Sequence, residues 1–291
     1  MKIQRILVAL DASPHSLAAL EAAIDLAERL DAELQGLFVE DINLLRLAQL
    51  PFARELRYPL PGSQKVDTLH MEEQLRGQAA QAQRLFQQLA EDHKIKHSFT
   101  VVRGVVASSL LKATLESDLL VLGRTSHTLI RTGRLGSTAQ TAVTHAERSV
   151  LLVHPKADLS RPPLLIYDGS TAAARVLSVA TSITPRNGRL YILLYLPDID
   201  TAQNAIDHIE TALSERQIEA VYRRLYGVQA QDLIDFINES ENSLLILSGQ
   251  YEQFPPAVIR RLAEDLHLPR FGRPINKRPP RPAFWVMERA C

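Results

Sequence analysis

Gly123 to Thr138 reads GRTSHTLIRTGRLGST and follows directly on the apolar run Leu119–Leu122. Glycines and hydroxyls at the mouth of a strand suit a phosphate. Gly136-Ser137-Thr138 opens a helix, whose first backbone N–H groups and positive dipole end attract an anion, with two hydroxyls beside them. The same residues would equally make an ordinary strand–helix loop capped by Ser137. Asp11 stands in the matching place behind Ile3–Leu10. A carboxylate there accepts from a ribose hydroxyl or an adenine amino group, or caps the helix that follows. Arg124, Arg131 and Arg134 add positive charge around the loop, as phosphate partners or as solvated side chains.

Neither familiar phosphate loop fits. A Walker loop needs Lys directly before its Ser/Thr, where Gly136 stands, and a dinucleotide fingerprint would follow the first strand, where this chain has DASPHS. The sequence has no CxxC, HExxH or clustered His/Asp set for a metal, and no GxSxG elbow for acyl transfer.

The elements that must hold these residues occur twice. RILVALDASPHS reappears as PLLIYDGSTAAA, matching Asp11 with Asp168 and Ser13 with Ser170. Glu33–Val39 falls on Leu190–Leu196, Gly104–Glu116 on Gly227–Glu239, and Asp118–Gly123 on Ser243–Ser248, all in unchanged order. The first copy carries about 28 extra residues, DINLLRLAQLPFARELRYPLPGSQKVDT, read as a helix on its own sheet, as a lid over the pocket or as a surface pairing the two copies. Leu17, Leu20, Ile24, Ala27 and Leu30 recur at helical spacing behind a Ser13-Pro14 cap. Leu75, Leu85, Phe86 and Leu89 predict a second helix, Leu110, Leu111 and Leu115 a third, and Ala139–Ala146 a fourth. The strands between them (ILVAL, LFV, TVV, LLVL, SVLLV) are near-continuous apolar runs, as in parallel sheets buried on both faces. The fold class is therefore α/β: two tandem doubly wound parallel-sheet domains at 1–155 and 164–291, joined by a linker at 156–163, with Ala283–Met287 as the last strand.

Bulk properties narrow the setting. Lys+Arg and Asp+Glu are both 33 in 291 residues, so no global field favours nucleic acid or an anionic membrane. The single cysteine, Cys291, allows no internal disulfide and suits a reducing compartment. The first apolar run begins almost at Met1 and no run is long enough to span a membrane, so a cytoplasmic protein without a signal peptide is expected.

VALDAS after the first strand, GRTSHTLIRTGRLGST after the fourth and VLLVHP as the fifth together resemble the universal stress protein family, and the whole chain resembles its tandem form. The family's nucleotide-binding members carry a glycine, two residues, a second glycine, nine residues, then Gly-Ser or Gly-Thr. Gly123 and Gly136-Ser137 match, and Ser126 stands at the second glycine. The resemblance implies an adenine nucleotide alpha hydrolase-like fold, five parallel strands with two helices on each face, and ATP or a related adenine nucleotide, with or without Mg2+, across the strand ends. Asp11 would face the ribose or adenine, Val39 would line the adenine pocket, Gly123 would let the backbone approach the phosphates, and Gly136, Ser137 and Thr138 would hold them. Ala9, Leu122, Arg124 and Ser126 complete the implied set. A serine forced into left-handed geometry at 126 costs about 1 kcal/mol, which weakens such a site without abolishing it. The resemblance also implies that the halves pair as a pseudo-dimer through Val150–Val153 and Phe284–Val286.

The second copy keeps Asp168-Gly169-Ser170 but has no Gly-Ser pair at the required distance after Ser248-Gly249, so it is expected to be a degenerate half. Its Leu268–Ala283 segment, dense in Pro and Arg/Lys, reads as a basic arm or as a Pro-stiffened surface loop. The expectation is a stress-response sensor or regulatory protein that binds a nucleotide in its first domain and is not an enzyme. The alternatives are a non-nucleotide-binding protein-interaction module, with an unnamed protein partner or a homodimer of the tandem chain, and, more weakly, a slow ATPase.

Overall fold

The fold is built on apolar runs that are buried on both sides. In a computed structural model that describes residues 3–11, 13–50, 54–56, 63–65, 68–123, 137–153, 162–225, 244–248, 250–252 and 258, these runs become the strands of one mixed sheet. The chain begins with β1 (Arg5–Leu10), α1 (Pro14–Leu30) and β2 (Glu33–Asp41). It continues through α2 (Ile42–Ala48) and a small hairpin, β3 (Arg54–Leu56) with β4 (Ser63–Lys65), to α3 (Thr68–Asp92). Then come β5 (His97–Gly104), α4 (Val106–Thr114), β6 (Leu119–Gly123), α5 (Ser137–His145) and β7 (Ser149–Val153). The pattern restarts with β8 (Leu164–Tyr167), α6 (Thr171–Ile183), β9 (Arg189–Leu194), α7 (Ile199–Ser214), β10 (Glu219–Arg224) and β11 (Leu244–Leu247).

The sheet runs β10-β9-β8-β11-β7-β6-β1-β2-β5. Within the stretch from β7 to β5 all neighbours are parallel, and the chain reverses its direction of winding between β1 and β6. The group β10-β9-β8-β11 is also parallel internally and winds the same way, with its reversal between β8 and β11. The repeat read from the sequence is thus a repeat of strand order. The 42–67 segment is the extra piece of the first copy: β9 leads to α7 within a few residues, whereas β2 leads to α3 through α2, β3 and β4.

Two expectations are corrected. First, β7 pairs antiparallel with β11, Leu244 opposite Val153 and Leu247 opposite Val150, rather than with Phe284–Val286, which lies outside the described residues. Every residue of β7 and β11 is buried, so this junction hides two apolar edges that would otherwise be open templates for association. Second, the sequence match of Glu33 to Leu190 is one residue off. The ladder bonds Glu33 N to Gln4 O and Tyr191 N to Pro163 O, so with Asp11 matched to Asp168, Val39 corresponds to Tyr195 and not Leu196. The run of β9 from Leu190 to Leu194 is apolar on both faces, so its pattern could not fix the register. Because β7 and β11 are antiparallel, the strand ends of the two groups open at opposite ends of the sheet.

Helices cover both faces of the first group. The α1 helix starts as predicted, with Ser13 as N-cap accepting from Ser16 N–H at 3.1 Å and Pro14 at the first position. It ends on Asp31 in left-handed geometry (φ 53°). The α3 helix buries Leu75, Ala79, Ala82, Phe86 and Ala90, one stripe at helical spacing. Phe86 and Phe99 lie over Gly36 of β2, where an added Cβ would come within 2.9 Å of the Phe86 ring. The neighbouring Gln35 and Leu37 face the other side, toward α4.

Candidate functional site

The site follows from the point where β1 and β6 part. They pair only from Ile6–Leu119 to Val8–Val121, while Leu122 and Gly123 continue the ladder with β7. A crevice opens at the carboxyl end of these strands, the place where open α/β sheets hold ligands. It contains a cavity of about 100 Å³ lined by Ala9, Leu10, Asp11, Ser16, Leu37, Val39, Val106, Leu110, Leu122, Gly123, Thr138 and Ala139. Beside it a wider cleft of about 600 Å³ shares Asp11, Val39, Val106 and Thr138. The cleft adds Val105 and Ala107 at the start of α4, Ser137 and Thr141 of α5, and Asp41, Asn43, Leu44, Leu75 and Gln78 from α2, α3 and the end of β2.

The structure therefore brings Ala9, Asp11, Val39, Leu122, Gly123 and Thr138 to one cavity and Ser137 to its rim. Arg124, Ser126 and Gly136 lie outside the described residues, as do Arg131 and Arg134. Asp11 is not the cap of α1; that role belongs to Ser13. Asp11 instead tightens the turn into the helix, its Oδ1 accepting from Ser13 N–H at 3.0 Å, and its half-buried carboxylate faces both cavities. Gly123 has a second reason to be glycine that the sequence did not show: an added Cβ would overlap the backbone carbonyl of His15, in the first turn of α1.

Charge and shape divide the crevice. Leu37, Val39, Leu110 and Leu122 make an apolar slot between strand ends and α4, suited to a flat ring. The α4 helix starts at Val105 with no side-chain cap, and α5 starts at Ser137, so two helix N-termini with their partial positive charge border the wider cleft. The far wall is braced by Arg103 of β5, whose Nε donates to Glu40 at 2.9 Å and Nη1 to Glu72 at 3.1 Å, tying β2 to α3. That double carboxylate contact also holds the guanidinium above its ordinary value. Among the described residues no group of three His, Cys, Asp or Glu is placed to hold a metal ion. Nor is any helix among them long and apolar enough to cross a membrane.

Sequence reasoning missed Leu37, Val106 and Leu110. Val106 was findable, because it follows directly on the exit of β5 and strand exits line such crevices. Leu110 reaches the cavity from one turn further along α4, and no local pattern separates it from an ordinary core leucine.

Comparison with known proteins places the chain in a family and a fold. A universal stress protein of Methanocaldococcus jannaschii is 28% identical over 152 residues, 52% of this chain and 81% of that protein. The crystal structure of a universal stress protein from Archaeoglobus fulgidus covers 82% of this chain and 84% of its own at a TM-score of 0.59 and 18% identity, a likeness of fold across both strand groups. A universal stress protein family protein from Arabidopsis thaliana, solved with AMP bound, is 16% identical over 54% of this chain and 95% of that one, with a TM-score of 0.37. The universal stress protein family model matches residues 2–154, more than half of the chain, and the protein belongs to that family.

Proposed function

We propose that the protein is a stress-response regulatory or sensor protein that binds ATP or a related adenine nucleotide in the crevice between β1 and β6. The observation that carries this reading is the meeting of Asp11, an apolar slot and two helix N-termini at the strand-order reversal. Family membership supports an adenine nucleotide as the ligand class. In this reading the base occupies the slot of Leu37, Val39, Leu110 and Leu122, and Asp11 accepts from the ribose. The phosphates meet the start of α5 at Ser137 and Thr138, with Gly136, Arg124 and Ser126, which precede it in the sequence, contributing. Residues 1–155 form the binding unit and 164–291 a second unit without nucleotide. Mg2+, where present, arrives on the phosphates, since no described cluster of carboxylates provides a cage for it. The protein works as a binding switch in the cytoplasm, with negligible turnover.

Calorimetry with ATP on the full chain tests this. The wild type is expected to bind one ATP per chain at millimolar affinity or better. Asp11→Ala is expected to bind about tenfold or more weakly, the loss of a hydrogen bond to a charged group. Absence of binding by the wild type would sink the proposal.

A second reading, a protein-interaction module, has one observation in its favour. On the extra segment Leu44, Leu47 and Leu50 are 40%, 52% and 39% exposed, apolar surface left to solvent. A pull-down in which a defined partner survives Asp11→Ala but is lost on Leu47→Glu would favour that reading.

A further inference from the structure

The crevice between β8 and β11 is the counterpart of the proposed nucleotide site, and its inner end is occupied by the chain itself. With Asp168 matched to Asp11, Ile166 stands where Ala9 stands and Ser248 where Gly123 stands, and in the first crevice both Ala9 and Gly123 line the cavity. The turn after β8 repeats the turn after β1. Ser170 N–H donates to Asp168 Oδ1 at 3.1 Å, as Ser13 N–H does to Asp11, and Ser170 caps α6 as Ser13 caps α1.

The difference lies between the two strands. Alternate carbonyls of β8 face β9, which takes those of Pro163 and Tyr167, so the Ile166 carbonyl faces β11. The Tyr251 hydroxyl donates to that carbonyl at 3.1 Å, and Ser248 N–H donates to the phenol oxygen. The phenol thus bridges the two strand ends as an acceptor toward one and a donor toward the other. Its ring is 7% exposed and belongs to the core, and Asp168, fully buried, is its charged neighbour. Burial and that carboxylate both raise the phenol's pKa and keep it neutral, the state that can donate. Tyr251 follows Ser248 by three residues and so occupies the position of Ser126 in the first copy.

We propose that the second crevice is a built binding site for a planar aromatic ring carrying one group that both donates and accepts a hydrogen bond, and that Tyr251 fills it as an internal ligand. The inference rests on the second crevice alone and stands whether or not the first crevice binds a nucleotide.

The test deletes the ring in the full chain and offers it back as a free molecule. Tyr251→Ala is expected to melt at a lower temperature than the wild type and to regain part of that loss with p-cresol, which binds once per chain. Toluene, which keeps the ring but lacks the hydroxyl, is expected to bind about fivefold more weakly, the value of one net hydrogen bond. The wild type, its crevice filled, is expected not to respond. A folded Tyr251→Ala indifferent to p-cresol would overturn the proposal, as would binding of p-cresol by the wild type at this crevice. Tyr251→Phe keeps the ring and removes only the bridge, which covers the case in which the alanine variant does not fold. It is expected to be less stable than the wild type, and equal stability would likewise overturn the proposal.

Discussion

At the scale of single residues, two neighbours of the crevice each answer to two demands. Gly123 ends β6 at the mouth of the cavity, and it also lies where α1 crosses closest to the strand, its missing Cβ leaving room for the carbonyl of His15. Because the obstacle is backbone rather than the end of a flexible side chain, α1 cannot swing aside without disturbing its own first turn. Gly123→Ala is therefore expected to destabilise the fold by about 1–3 kcal/mol, the usual cost of overpacking, measured as a lower urea midpoint. An unchanged midpoint would mean that α1 yields freely there. Asp11 likewise both closes the turn before Ser13 and offers its carboxylate to the cleft, so any variant at this position needs a stability measurement beside the binding one.

At the scale of elements, the two cap turns offer a matched pair. Ser13 caps α1 and Ser170 caps α6 with the same bond to the N–H three residues on, 3.1 Å and 3.2 Å. The Ser170 hydroxyl also donates to Asp168 at 2.5 Å, and that carboxylate is fully buried. Ser13→Ala is expected to cost about 1 kcal/mol, an ordinary cap. Ser170→Ala is expected to cost about 1–3 kcal/mol more, because it removes a donor from a buried charge. Equal losses in denaturant melts would contradict this. These caps were legible in the sequence, since DASPHS and DGSTAA each announce a helix start, as was the amphipathic stripe of α3. The register of β9 was not, because an unbroken apolar run fits a buried strand equally well one residue either way. The partner of β7 was not legible either: SVLLV and LLIL are interchangeable as apolar edges, and which of them meet is decided by the packing of whole strand groups. The crevice residues show the same divide. Asp11, Gly123 and Thr138 sit at strand exits and a helix start, where local pattern points, while the clash of Gly123 with His15 and the bridge made by Tyr251 join segments far apart in the chain.

At the scale of the whole molecule, two strand groups of the same winding share one nine-stranded sheet through an antiparallel joint. Their crevices open at opposite ends of that sheet, so a ligand in one does not touch the other. One crevice presents a cavity with a carboxylate and two helix N-termini, and the other has its inner end closed by a tyrosine. The proposed nucleotide binding follows this asymmetry: one open crevice per chain, at the head of β1 and β6. The most direct measurement is an ATP titration of the full chain followed by the backbone amide resonances. Saturable shifts are predicted at Ala9, Asp11, Val39, Val106, Gly123 and Thr138, with none at Asp168, Ser248 or Tyr251. Absence of shifts at the first set, or equal shifts at both, would contradict the account.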